Sequence, residues 1–196
     1  MTNNKKIKIY LIGASGQLGK ELGKKIKSCT LFDLKKSRVQ LESPQDIFKK
    51  LFTYKPNIII NAGAYTDVAN AEIDKIRCNK VNNIACEYIS NFCKEYGSYL
   101  IHFSTDYVYS DSIKERKKEN SLCKPLNYYG SSKLAGDLKI INSNINFTIL
   151  RLSWMYGNGK NSFFTKICKK IRGLENIYIS TKEIGCPVST ILVAKL

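Results

Sequence analysis

Tyr129 and Lys133 stand four residues apart in Tyr129-Gly130-Ser131-Ser132-Lys133. On a helix that spacing puts a phenol and an ammonium on one face. A nearby ammonium favours the phenolate, so the pattern predicts a tyrosine acidified toward neutrality that can hand over a proton. Thr105, in Ser104-Thr105-Asp106, closes an apolar run, where its hydroxyl can hydrogen-bond a substrate oxygen. A second group, Gly13, Gly16 and Gly19, divides an apolar stretch from a helical one. Glycines so spaced suit a tight turn, close approach of backbone to a pyrophosphate, and close helix packing. The helix start adds free N–H groups and the positive end of its dipole. Asp33 follows at about the twenty-residue distance at which a carboxylate meets an adenosine ribose. That carboxylate repels a 2′-phosphate, whereas Lys35, Lys36 and Arg38 would relieve the repulsion, so NADH and NADPH both stay open.

The elements that must position these groups alternate. Ile7–Ile12 reads as a buried strand, followed by the glycines and a helix to about Lys27. Thr30–Asp33 reads as a short strand. Ser43-Pro44-Gln45-Asp46 carries a helix start, with Ser as cap and Pro in the first turn, and Pro56 marks the stop. Ile58–Asn61 is a strand running into Ala62-Gly63-Ala64. Val81, Ile84, Ala85, Tyr88 and Phe92 form one helical face. Strands are expected at Tyr99–Phe103, Phe147–Leu152 and Ile177–Ser180, and helices at Tyr129–Lys139 and Phe163–Ile171. A polar surface loop spans Asp111–Lys124, and a last helix opens within Val188–Leu196. This order predicts an α/β fold, a doubly wound parallel sheet of Rossmann type. Residues 1–152 are expected to form its dinucleotide-binding domain.

Composition narrows the function classes. The chain has 196 residues, enough for one domain with a sizeable core, and a net charge of +16. The 27 lysines are scattered and the five arginines unclustered, a pattern that favours compositional bias over nucleic-acid binding. No apolar run approaches the length of a membrane span, so no membrane partner is expected. The Met1–Lys6 start leads into too short an apolar stretch for a signal peptide. Seven cysteines without a Cys-x-x-Cys pair, and His102 alone, predict reduced thiols in the cytoplasm and no metal cluster. His102 is expected as a packed strand residue.

Taken with Asn61-Ala62-Gly63-Ala64 and Ser104-Thr105-Asp106-Tyr107-Val108-Tyr109, these motifs resemble the extended short-chain dehydrogenase/reductases. Arg151-Leu152-Ser153-Trp154-Met155-Tyr156-Gly157 and Gly185-Cys186-Pro187 narrow the resemblance to the dTDP-4-dehydrorhamnose reductases. It covers nearly the whole chain and implies that residues 153–196 form a partial substrate-binding region. It implies NAD(P)H-dependent reduction of the 4-keto group of dTDP-6-deoxy-L-lyxo-4-hexulose to dTDP-L-rhamnose. By the same resemblance Tyr129 protonates the alkoxide, Lys133 binds the nicotinamide ribose, and Thr105 holds the carbonyl oxygen. Gly16, Gln17 and Leu18 meet the pyrophosphate, Ala62, Gly63 and Ala64 border the cofactor, and Asp106 and Trp154 contact the nucleotide sugar. The related 4,6-dehydratases carry Asp-Glu after the threonine. Here Tyr107 follows Asp106, which points to simple carbonyl reduction.

The sequence departs from the family in places. Glu21 matches one glutamate of a magnesium site at a dimer contact, but Ile191 stands where another belongs, so no metal site is expected; a homodimer remains open. Gln40-Leu41 replaces a frequent Asp-Phe near the adenine. Family members run on past Leu196, so the chain is expected to be a fragment or truncated form. The competing reading is a non-catalytic NAD(P)-binding regulatory subunit, resembling those of methionine adenosyltransferase.

Overall fold

Side chains on β1 (Lys8–Ile12) alternate between two cores, which is what a parallel strand covered on both faces must do. Tyr10 and Ile12 enter one core, with Ile59, Leu100, Ile89, Phe92 and Ile140. Ile9 and Leu11 enter the other, with Leu18, Leu22, Ile60, Phe103 and Val193. The structure is a computed structural model and describes residues 7–26, 30–31, 39–109, 116–157, 163–178 and 185–196.

The main sheet has the order β2 (Thr30–Leu31), β1, β3 (Ile58–Asn61), β4 (Tyr99–Thr105) and β5 (Phe147–Leu152). All its pairs are parallel. The α/β doubly wound reading therefore holds. The order reverses between β1 and β3, and in such sheets ligands bind outside the carboxyl ends of the strands at that reversal.

Helix α1 (Gln17–Lys25) follows β1, and α2 (Pro44–Tyr54) begins as its sequence foretold. Ser43 Oγ accepts the Asp46 N–H at 3.2 Å, with Pro44 in the first turn. The chain leaves α2 through Lys55 in the left-handed region, at φ 44°. After β3 come α3 (Val68–Ala71), α4 (Lys75–Asn79) and α5 (Ala85–Tyr96). The apolar face expected from Val81 to Phe92 is not one regular helix, because Lys80–Ile84 forms a π-helical segment between α4 and α5. A 3₁₀ turn at Asp106–Val108 leaves β4, and α6 (Tyr128–Ile141) crosses back to β5.

Beyond β5 lie β6 (Met155–Tyr156), α7 (Phe163–Arg172), β7 (Val188–Ser189) and α8 (Thr190–Val193). β6 and β7 pair in parallel. The last segment thus opens as a strand, and the helix expected within it follows as a four-residue turn. Ile177 and Tyr178 are in no strand, and the rest of the Ile177–Ser180 expectation lies outside the described residues, as do Lys27 and Asp33.

Candidate functional site

The glycines build the first half of the site from backbone alone. Gly13 has φ +78°, and a Cβ there would lie 2.5 Å from the carbonyl carbon of Ala62 and the nitrogen of Gly63. Gly19 is pressed against the Gly13 carbonyl, so α1 packs directly on the turn that precedes it. Gly16 N–H donates to Gly13 O at 2.9 Å and closes the turn. Gly16 caps α1 with no side-chain hydrogen bond, and the first turn holds no acid. The N–H groups at Gln17, Leu18 and Gly19 therefore start a helix that a phosphate can cap. Ala62, Gly63 and Ala64 leave the end of β3 against this turn, and Ala62 N–H donates to Ile12 O at 3.0 Å. The cradle and the Ala-Gly-Ala border are one crevice at the sheet reversal. A dinucleotide pyrophosphate fits this helix start, whose first-turn N–H groups carry no side-chain cap and face no acid in the first turn.

The second half is built from side chains on α6 and β4. Thr105, the last residue of β4, and Tyr129, in the first turn of α6, are 6% and 9% exposed. The Thr105 hydroxyl lies beside the Tyr129 phenol. Thr105 Oγ1 gives its one proton to Asp106 Oδ1 at 3.3 Å and accepts the Tyr107 N–H. The Tyr107 ring meets the Tyr129 ring edge-on at 5.7 Å. Trp154 lies apart from this cluster in sequence, where its ring packs on Gly185 and its carbonyl accepts the Val188 N–H.

Lys133 corrects one expectation. Its nitrogen does not make the phenol acidic here. Lys133 Nζ donates to Phe103 O at 2.8 Å and lies 3.1 Å from His102 Nε2. Burial pushes the Tyr129 phenol up to about 12; the Thr105 hydroxyl pulls it down and Asp106 pushes it up. Tyr129 is thus a phenol that keeps its proton. Lys133 is fully buried, and burial lowers its own pKa against the opposing pull of Cys86, Asp137 and Cys78.

Several residues of the site escaped the sequence reading. Asn61, His102, Ser104 and Arg151 form a polar patch on the α6-facing side of the sheet, at the carboxyl ends of β3, β4 and β5. Asn61 pairs with His102, and Ser104 with Arg151, in the strand register. Asp137, one helical turn past Lys133, is buried and accepts from Ser104 Oγ at 2.9 Å and Arg151 Nε at 3.2 Å. Burial raises its carboxyl, while Lys133, Ser104 and Arg151 lower it. Asn82, in the π-helical segment, ties that segment to α6 and to the loop after β3. It accepts from Tyr65 N–H at 2.9 Å and donates to Tyr65 O and to Ser132 Oγ of α6. Two signals were available: polar residues at His102 and Ser104 on alternate positions of a buried strand, and Asp137 continuing the Tyr129–Lys133 spacing.

Fold and site together define a Rossmann-type protein with the tyrosine–lysine helix of the short-chain dehydrogenase/reductases. The model of the RmlD substrate binding domain family matches residues 7–196, and the chain belongs to that family. It is 30% identical over 183 residues to dTDP-4-dehydrorhamnose reductase of Aggregatibacter actinomycetemcomitans, covering 92% of this chain and 62% of that protein. It is 28% identical to spore coat polysaccharide biosynthesis protein SpsK of Bacillus subtilis, covering 93% of this chain and 65% of that one. The chain thus spans less than two thirds of the length of these curated relatives. The crystal structure of Bacillus anthracis dTDP-4-dehydrorhamnose reductase in complex with NADP superposes with TM-score 0.90 at 28% identity, over 97% of this chain and 68% of that one.

Proposed function

We propose that this chain performs NAD(P)H-dependent reduction of the 4-keto group of a dTDP-6-deoxy-4-hexulose to give dTDP-L-rhamnose, in the cytoplasm. The observation that carries the reading is the buried Tyr129–Thr105 hydroxyl pair at the end of β4, beside a glycine cradle. Its nucleotide-sugar class also draws on the named relatives, one of which was solved with NADP.

The nicotinamide dinucleotide supplies the hydride when bound. The first-turn N–H groups of α1 would hold its pyrophosphate, Ala62, Gly63 and Ala64 would border it, and Asp33, by the family resemblance, would take the adenosine ribose. Thr105 donates to the substrate carbonyl oxygen and orients it toward Tyr129. Tyr129 then gives that oxygen its phenolic proton. A phenol pushed up to about 12 is reliably protonated at neutral pH, as a proton donor must be. Lys133, as a cation, would bind the nicotinamide ribose. Asp106 and Trp154 contact the sugar nucleotide. Residues 1–152 carry the dinucleotide and 153–196 contribute to the sugar side; a homodimer is compatible with this arrangement. Among the described residues no helix is long and apolar enough to cross a membrane.

The test is NAD(P)H oxidation by the purified chain with dTDP-4-keto-6-deoxyhexose. Tyr129→Phe should lower turnover about a hundredfold or more and leave dinucleotide binding intact. Unchanged turnover in that variant overturns the mechanism. Dinucleotide binding with no turnover by the unaltered chain favours a regulatory subunit instead.

A further inference from the structure

Beneath the hydroxyl pair lies a run of buried polar groups whose hydrogen bonds can be given a direction. Gly63 N–H donates to Asn61 Oδ1 at 3.2 Å. This contact fixes the carboxamide and turns Nδ2 toward His102, 3.1 Å from Nδ1. A carboxamide nitrogen can only donate, so Nδ1 accepts, and the neutral ring carries its proton on Nε2. That N–H meets Lys133 Nζ at 3.1 Å. An ammonium has no lone pair to accept it; an amine has one.

The charges lead to the same place. Arg151 Nε lies 3.2 Å from Asp137 Oδ2 and balances that carboxylate. An ammonium on Lys133, 1% exposed, would be a second cation beside one carboxylate. The groups facing Lys133 are His102 and the Phe103 carbonyl from β4, Asp137 from its own helix, Cys78 from α4 and Cys86 from α5. Burial pushes the Cys86 thiol up to about 12, so it supplies no anion at neutral pH. One atom is left over. Asp137 Oδ1 is buried without a hydrogen-bond partner and stands 3.8 Å from His102 Nε2.

We propose that Asn61 and His102 are positioning residues that hold Lys133 as a neutral amine in the dinucleotide-free protein, that Lys133 takes one proton from solvent when a dinucleotide fills the crevice, and that Asp137 is the positioning residue that receives the displaced His102 N–H. On protonation the Nζ lone pair is lost. The His102 Nε2–H then passes from Nζ to the waiting Asp137 Oδ1, and the ring keeps both its tautomer and its neutrality. The burial that lowers Lys133 and holds His102 well below its ordinary value acts in the same direction. The second half rests on the reductase reading, because that reading places Lys133 on the dinucleotide as a cation. The first half does not.

His102 is the chain's one histidine, so its ring nitrogens report alone. Long-range proton–nitrogen correlation spectra of the free protein should show an unprotonated Nδ1 and a protonated Nε2. Lys133 Nζ, assigned against Lys133→Met, should resonate as an amine. Adding NADP+ should shift it to the ammonium position, and calorimetry in buffers of different ionisation enthalpy should register uptake of about one proton. Asn61→Asp presents a carboxylate to Nδ1, draws the ring proton there and frees Nε2 to accept. It should show an ammonium before any dinucleotide is added and no proton uptake on binding. A protonated Nδ1 or a Lys133 ammonium in the free wild-type protein overturns the proposal. NADP+ binding without proton uptake overturns its second half. Failure to bind NADP+ overturns the reductase reading, while the spectra of the free protein still decide the state of Lys133.

Discussion

The two halves of the site are made of different material. The cradle at Gly13–Gly19 is backbone: its shape comes from where side chains are missing. The patch under Tyr129 is mostly side chain: Asn61, His102, Ser104, Lys133, Asp137 and Arg151 meet from β3, β4, β5 and α6. Backbone shape depends on a few neighbouring residues, so a single added methyl group can abolish it. A buried polar patch depends on mutual satisfaction, so its failures should be graded and partly reversible by changing a partner.

The sharpest break between the halves is Gly13→Ala. The new Cβ would meet backbone atoms of Ala62 and Gly63 at 2.5 Å, with φ already at +78°. Neither neighbour is a flexible side chain that could move aside. The loss should be on the order of 4 kcal/mol or more, or failure to fold. Chemical denaturation measures it, and a loss below about 1 kcal/mol would mean that the turn is not held as described.

Asp137→Leu comes next, at about 2 kcal/mol, because it removes the carboxylate partner of Arg151, which among the described residues keeps only Tyr109 and Glu119, and leaves the Ser104 hydroxyl without its acceptor. The double variant Asp137→Leu/Arg151→Met should recover part of that loss. No alanine at Gly13 can be rescued by a neighbouring substitution in this way. Strictly additive losses in the double variant would show that the pair is not coupled.

Alkaline titration separates Tyr129 from the patch beneath it. Its folded pKa, about 12, lies above the ordinary value of 10.0. A raised folded pKa gives stability that is complete below pH 10 and fades as pH climbs toward 12. At pH 11 the fading amounts to about 1.4 kcal/mol. Tyr129→Phe should be less alkali-sensitive than the parent by that amount in denaturation at pH 8 and pH 11. Equal sensitivity would place the phenol in water.

What the sequence disclosed follows the same division. The Ser43-Pro44 helix start, the Phe147–Leu152 strand and the glycine turn rest on local rules, and they stand where expected. The parallel sheet was legible because alternation of strand and helix leaves few topologies. The π-helical segment at Lys80–Ile84 was hidden, because apolar spacing around it looks like an ordinary helix. Asn61 and His102 meet across 41 residues, and His102 and Lys133 across 31. Such meetings depend on strand register, which motif spacing does not encode. The Tyr129–Lys133 spacing was visible, but the direction of the lysine was not. Nothing in the five-residue motif says that Phe103 and His102 will hold its nitrogen.

Gly16→Ala makes the smallest change in stability and so isolates what the cradle is for. Gly16 has φ −70° and ψ 173°, a conformation open to any residue. Its added Cβ would approach only the Gly13 carbonyl, at 3.1 Å, which a shift of a few tenths of an ångström relieves. Stability should fall by about 1 kcal/mol or less, the difference between glycine and alanine as a helix cap. Dinucleotide affinity should fall at least about tenfold, because the methyl group enters the space above the first-turn N–H groups of α1. Stability follows from denaturation and affinity from fluorescence titration with NADPH. Full affinity in a stable Gly16→Ala protein would mean that the phosphates do not sit at the start of α1. The glycine spacing would then serve only the packing of that helix on the Gly13 turn, and the cradle would lose its claim to a ligand.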